Sequence, residues 1–363
     1  MGIRQQAVRD IPRQRLQSQG LAGPGHESPA DLVRWLGAVQ AQDYLGSLWA
    51  LGLRLPGTTQ IQVEQALADG AIIRTWPLRG TIHFVAPQDV RWMLELVTPR
   101  LLATLGRRLE RESGLDPIVL KRSRNAFTRG LRGGKQLARP VMYQLLEAAG
   151  ISTAGQRGYH ILWRLAQEGL ICFGPRAGKQ PTFVLLDEWV PPSKKLERDA
   201  ALAELAGRYF TSHGPATVPD FAWWSGLTAA DATAGLEAVK RDLTRETIDG
   251  RVYWMPPGTE RPRVTGTTAH LLPAYDEYTV AYRDRRAVLT AVPAARPLAR
   301  NGILSPVIVI DGQVVGTWRR SLSKQNVVIA LAPFARLKPG AKPALVRSAN
   351  RYGGFLQVPA ILK

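Results

Sequence analysis

The chain has 363 residues and 45% hydrophobic content, enough for several packed units and too much for one ordinary core. Its 48 Lys and Arg against 29 acids leave a formal charge of +19, which favours a polyanionic partner over small acidic metabolites. The single cysteine, Cys172, excludes an intrachain disulfide, and the five scattered histidines have no metal-ligand spacing, so neither metal nor cofactor is expected. No apolar run approaches a membrane span and residues 1–19 lack the apolar core of a secretory signal, so a cytoplasmic protein with no membrane partner is expected.

Ser28 as N-cap, Pro29 at the first helical position and Asp31 as the capping acid predict a helix start. Leu32, Trp35, Leu36 and Val39 then share an apolar face, which should point into a core. Gln40 and Gln42 break the pattern. On a continuing helix they would project about 200° apart, so they face one cleft only if the helix ends or bends there. Gln60 to Ala68 reads as a short helix closed by Gly70. Ala71 to Val85 reads as a strand, a sharp bend and a second strand, placing Arg79, Thr81 and His83 on one face by period two, where they would line a groove. An amphipathic helix follows through Val90, Met93, Leu94 and Val97 and continues past Pro99.

From Arg100 to Lys135 the sequence carries ten Lys or Arg against three acids, a density suited to phosphate contacts. Two more helices, Ala138 to Ala149 and Arg157 to Glu168, each end before a glycine. Strands at Leu170 to Phe173 and Thr182 to Leu186 flank a basic, Gly-rich tip that has the composition of a wing and contains Arg176 and Lys179. Cys172 lies in the apolar run of the first of these strands, where a buried, inert thiol is expected.

After Pro191-Pro192 the plan repeats. Helices are expected over Ala200 to Phe210 and Pro219 to Trp224, then one capped by Thr228 with Asp231, and then an Asp249-Gly250 hairpin with a type I′ turn. Three helix-helix-hairpin units predict tandem winged helices. The last stretch, with an Asp311-Gly312 hairpin and a terminal helix near Ala344 to Phe355, predicts a small β-barrel-like domain. The expected fold class is α+β, divided into residues 1–112, 113–192, 193–258 and 259–363.

Gln40-Ala41-Gln42, then Arg79-Gly80-Thr81-Ile82-His83, then Leu271-Leu272-Pro273-Ala274-Tyr275-Asp276-Glu277-Tyr278 and the Asp-Gly hairpin come in the order found in the winged-helix DNA glycosylases of the AlkZ type, which the chain resembles over nearly its whole length. The resemblance implies a monofunctional glycosylase that hydrolyses the N-glycosidic bond of N7-alkylated purines, bulky or crosslinked lesions included, with Gln40 and Gln42 catalytic. It implies double-stranded DNA as partner, association with the nucleoid only through that DNA, and action as a monomer. Arg79, Thr81, His83, Arg176, Lys179, Arg283 and Arg285 are the expected DNA contacts. Asp43, beside the pair, is a rival general base. Winged helices also serve non-catalytic regulators, and residue types alone leave that alternative open.

Overall fold

The computed structural model describes residues 3–23, 25–193, 195–259, 266–290, 299–300 and 303–363. The chain forms two units, one from Met1–Val63 with Leu202–Lys363 and the other from Glu64–Ala201. These units divide the chain differently from the four consecutive segments expected, because the middle of the sequence makes its own core while the two flanking segments share one.

In the first unit, Ser28 caps helix Pro29–Leu36, with the Asp31 N–H donating to its Oγ at 3.1 Å. Gly37, at φ 76°, ends that helix in a backbone conformation that L side chains rarely adopt. Leu32, Val33 and Leu36 are buried, whereas Trp35, expected in the core, is 38% exposed. Its indole N–H donates to the Ser18 carbonyl at 2.8 Å, and at a partly wet position that polar atom sets where the ring lies.

The same unit holds a sheet with the order Ala360–Leu362, Val327–Pro333, Gln313–Leu322, Val307–Ile310, Ala269–Leu272, antiparallel except for its first pair. It is a curled half-barrel, where a small β-barrel-like domain was expected. Helix Ala341–Leu356 covers it, and Trp49 meets Tyr352 edge-on with ring centroids 4.8 Å apart. Gly52 is required there, since a Cβ would collide with the ring of Phe355. Both Asp-Gly turns form as expected: Asp249 and Gly250, and Asp311 and Gly312, all have positive φ.

The second unit is built on a sheet in which the hairpin Ile73–Leu78 and Thr81–Val85 joins the hairpin Ile171–Ala177 and Gln180–Leu185 through Arg74 opposite Phe173. Trp76 stacks on Phe173 at 4.5 Å. Helices Val90–Ser113, Pro117–Leu131, Arg139–Ala148 and Arg157–Gln167 bury Phe127, Leu131, Met142, Leu146, Ile161 and Leu162 against that sheet. Residues expected to lie on either side of a boundary after 112 therefore share one sheet and one core. Cys172 is fully buried within it, and desolvation pushes its thiol pKa far up, which leaves it inert.

Candidate active site

Beyond Gly37 the chain is extended, with Val39–Gln40 a short strand and burial alternating from Val39 (buried) through Gln40 (half-buried) and Ala41 (buried) to Gln42 (exposed). The strand ends at Gln40, and Gln42 lies two residues on at a bend before the next helix. Because the helix has already ended at Leu36, the ~200° separation that helical spacing would impose on the two amides does not arise.

The backbone beneath is anchored. The Gln40 N–H donates to Glu277 Oε1 at 2.7 Å, and Glu277 Oε2 accepts from the Trp224 indole at 3.0 Å. Glu277 is 1% exposed, so these neutral donors stand in for water around its carboxylate. His213 Nε2 lies 3.6 Å from Oε2, too long for a hydrogen bond. Burial lowers the His213 pKa, outweighing the pull of Glu277, and its ring stacks on Tyr209 at 4.9 Å.

Glu277 is held by its neighbour. Asp276, 0% exposed, N-caps helix Glu277–Val280 through the Tyr278 N–H and takes a fork from Arg54, both contacts 2.8 Å. Arg54 spends its remaining donors on the Ala50 carbonyl and on the Gln19 carbonyl and side chain, so the five N–H groups of a guanidinium are all satisfied in a dry site. Gln19 continues to the Tyr282 hydroxyl at 2.9 Å, which donates to the His213 carbonyl. A buried polar network thus runs from the N-terminal segment to the strand that bears the glutamines. Asp43 precedes helix Tyr44–Gly52 and its carboxylate lies over Gly46, where a Cβ would collide with Oδ2.

Arg79, at φ 52°, and Gly80, at φ 69°, form the two-residue turn between Leu78 and Thr81, so Arg79 does not share the strand face assigned to it. His83 is 0% exposed with Nδ1 2.9 Å from the Thr81 carbonyl, and it lines no open groove. The strand, sharp bend and second strand form as expected, but Arg79 sits in the bend itself. Thr81 is half-buried. At the second hairpin's tip Lys179 is exposed, and Arg176 reaches back to the Lys179 carbonyl. Arg283 is exposed, whereas Arg285 tucks inward and its pKa is lowered by burial. The glutamines, Arg283 and Arg285 belong to the first unit; Arg79, Thr81, His83, Arg176 and Lys179 belong to the second.

Reading by motif missed Glu277, Asp276, Arg54 and Trp224 as the support of the glutamine strand. A signal was present: two adjacent acids inside Leu271-Leu272-Pro273-Ala274-Tyr275-Asp276-Glu277-Tyr278, with no basic residue in the run to pair them locally. Acids in such a run are buried against something distant in sequence.

A family model described as "DNA glycosylase AlkZ-like" matches residues 33–355. The curated "Interstrand DNA cross-link repair glycosylase" of Streptomyces sahachiroi is 27% identical over 368 aligned positions, covering 95% of this chain and 96% of the relative. The solved Streptomyces sahachiroi DNA glycosylase AlkZ superposes with a TM-score of 0.78 at 24% identity, over 98% of this chain and 99% of that one.

Proposed function

The chain belongs to the AlkZ-like DNA glycosylase family, and from that premise we propose that it excises N7-alkylated purines from duplex DNA with Gln40 and Gln42 as the catalytic residues. The observation that supports this is Gln40 in a short strand whose backbone N–H is fixed on the buried carboxylate of Glu277, with a second amide, the exposed Gln42, two residues on. N7 alkylation makes the purine cationic, so it leaves as a neutral base when the glycosidic bond breaks and needs no proton from a general acid. What remains is to place a water and to tolerate positive charge on the sugar, which has oxocarbenium character in glycosidic cleavage. Amide oxygens do both: they accept hydrogen bonds from the attacking water and present the negative ends of their dipoles to the cation. Asp43, next in the chain with its carboxylate over Gly46 at the start of the following helix, is the rival group for taking the water's proton.

The finer architecture we read as winged helices in tandem, supported by helices that precede hairpins at Ile73–Val85, Ile171–Leu185 and Thr244–Met255. The interstrand crosslink named for the Streptomyces relative sets the bulk of lesion we propose for this chain as well. The exposed Gln42 and the open half-barrel suit a large adduct better than a closed pocket would. Arg79 and Thr81, with Arg176 and Lys179 at the other hairpin tip, we assign to the DNA backbone. The test is to incubate the protein with duplex carrying N7-methylguanine and with undamaged duplex. Free N7-methylguanine and abasic sites from the first alone are expected; tight binding to both without base release would return the chain to the regulators.

A further inference from the structure

A cleft of about 580 Å³ lies in the first unit, away from the glutamine strand in sequence, between the start of helix Val218–Ser225, strand Arg251–Met255 and the loop after Tyr282. Its walls are apolar, from Val218, Pro219, Val252 and Trp254, and its rim carries Arg251, Arg283 and Arg286.

The rim is built, not incidental. Asp220, 1% exposed, closes the capping box with Thr217 through one oxygen and accepts the Arg283 and Asp284 N–H groups, at 2.9 and 3.1 Å, through the other. That carboxylate therefore pins the loop to the helix. Asp284 in turn holds Arg286 by a two-pronged contact, 3.1 and 3.0 Å, and pairs with Arg251. One carboxylate thus fixes two guanidinium groups without neutralising both, and their remaining donors are free for a ligand. The Arg283 side chain is exposed and has no hydrogen-bond or ion-pair partner among the described residues. Three arginines against Asp284 leave the rim with a charge of +2, since Asp220 is buried and faces Arg15 at 3.9 Å.

We propose that this cleft is a second DNA contact, in which Arg283, Arg286 and Arg251 grip backbone phosphates flanking the excised nucleotide while the apolar wall at Trp254 lies against the sugar. Planar, forked donors held apart on a shared carboxylate match phosphodiester oxygens, and the chemistry is that of a DNA strand rather than of a neutral ligand. Reach supports one duplex serving both sites. From Glu277, which holds Gln40, to Arg283 the chain advances six residues, at most about 20 Å, well under the ~34 Å of a duplex turn. The proposal rests on the reading that this protein works on duplex DNA.

The experiment measures duplex affinity between low and high salt for wild type, for Arg283→Ala with Arg286→Ala, and for a control lacking the exposed Arg319 and Lys338, with thermal melting of each. The cleft variant is expected to bind roughly 10- to 100-fold more weakly at low salt, with a salt slope flatter by about two units, while the control changes neither as much. Unchanged affinity and slope in a folded variant overturn the proposal, as does an equal loss in the control. Should the double variant melt early, Arg283→Gln alone, which breaks no contact among the described residues, is expected to flatten the slope by about one unit. Inorganic phosphate and dAMP are titrated in parallel. Binding of either that is lost in the variant, with duplex affinity intact, assigns the cleft to a free phosphate compound and overturns it as a DNA site. Loss of duplex affinity in the variant, with no base release by wild type, keeps the cleft and removes the glycosylase reading.

Discussion

The two units solve the problem of an interior in opposite ways. The second buries Phe127, Leu131, Met142, Leu146, Ile161 and Leu162 in an apolar core and keeps most of its charge outside. The first buries Arg54, Asp276, Glu277, Arg15, Asp220 and His213 in its interior, each 1% exposed or less. Apolar packing tolerates exchange of one hydrophobe for another of similar volume, whereas a buried polar network leaves a partner unmatched when one of its members changes. The fussier interior lies directly beneath the glutamine strand, where a fixed backbone is worth its desolvation cost.

The largest effect that separates the two interiors is on stability. Asp276→Asn changes almost no volume, yet it leaves the Arg54 charge unpaired in a dry site and is expected to destabilise by about 3–5 kcal/mol. Leu162→Met, equally conservative in the second unit, is expected to cost under about 1.5 kcal/mol. Urea unfolding of both variants checks the contrast, and equal losses would erase it.

Catalysis comes next. Gln40→Ala and Gln42→Ala remove amides that fill no core space, so melting should hold while single-turnover release of N7-methylguanine falls by a factor equivalent to about 2.7–4 kcal/mol for each. Because the amides would hold one water jointly, the double variant should lose less than the sum. Glu277→Gln sharpens the point. It keeps one oxygen and sets an NH2 in place of the other, so either the Gln40 N–H or the Trp224 indole loses its acceptor, and excision should fall without any contact to substrate being removed.

Acid should discriminate between the units as well. His270, in the first unit's sheet, has its pKa lowered to about 4, first by burial and then by Arg351 and Arg54. The unfolded chain binds a proton near pH 6.5 that the folded chain refuses until about pH 4. Stability is therefore complete above pH 6.5 and falls as pH drops toward 4, by up to about 3 kcal/mol from this group. His270→Gln should flatten that part of the pH–stability curve of the first unit.

The smallest effect is at the second unit's surface. Arg176→Ala with Lys179→Ala should lower duplex affinity alike for all sequences and flatten the salt slope by about one to two units, without touching melting. A sharp sequence preference that survives high salt would instead mark a reader of bases.

Local signals were legible in the sequence. Ser28, Pro29 and Asp31 named a helix start, Asp249-Gly250 and Asp311-Gly312 named two turns, and the helix past Pro99 ran on as its apolar spacing required. The glutamines were legible as an anomaly, since two amides cannot follow an apolar helical face without ending it. Long-range pairings were not. Nothing in Arg54 announces Asp276, or in Gln40 announces Glu277, because such pairs are set by tertiary packing and leave no periodicity behind. Trp35 and His83 were misplaced for the related reason that periodicity gives a side but not what covers it.

The interleaving of the first unit has a consequence during synthesis. Glu64–Ala201 is a continuous run that can fold as it emerges, but Gln40 must wait for a carboxylate that lies 237 residues downstream. At ribosomal speeds of about 5–20 residues per second, the glutamine strand spends roughly 10–50 s without its anchor. A nascent or prematurely terminated chain can therefore carry a finished second unit while the glutamine strand has no floor beneath it. The footing of Gln40 is set only after Glu277 has been made, well after the second unit has its whole sequence.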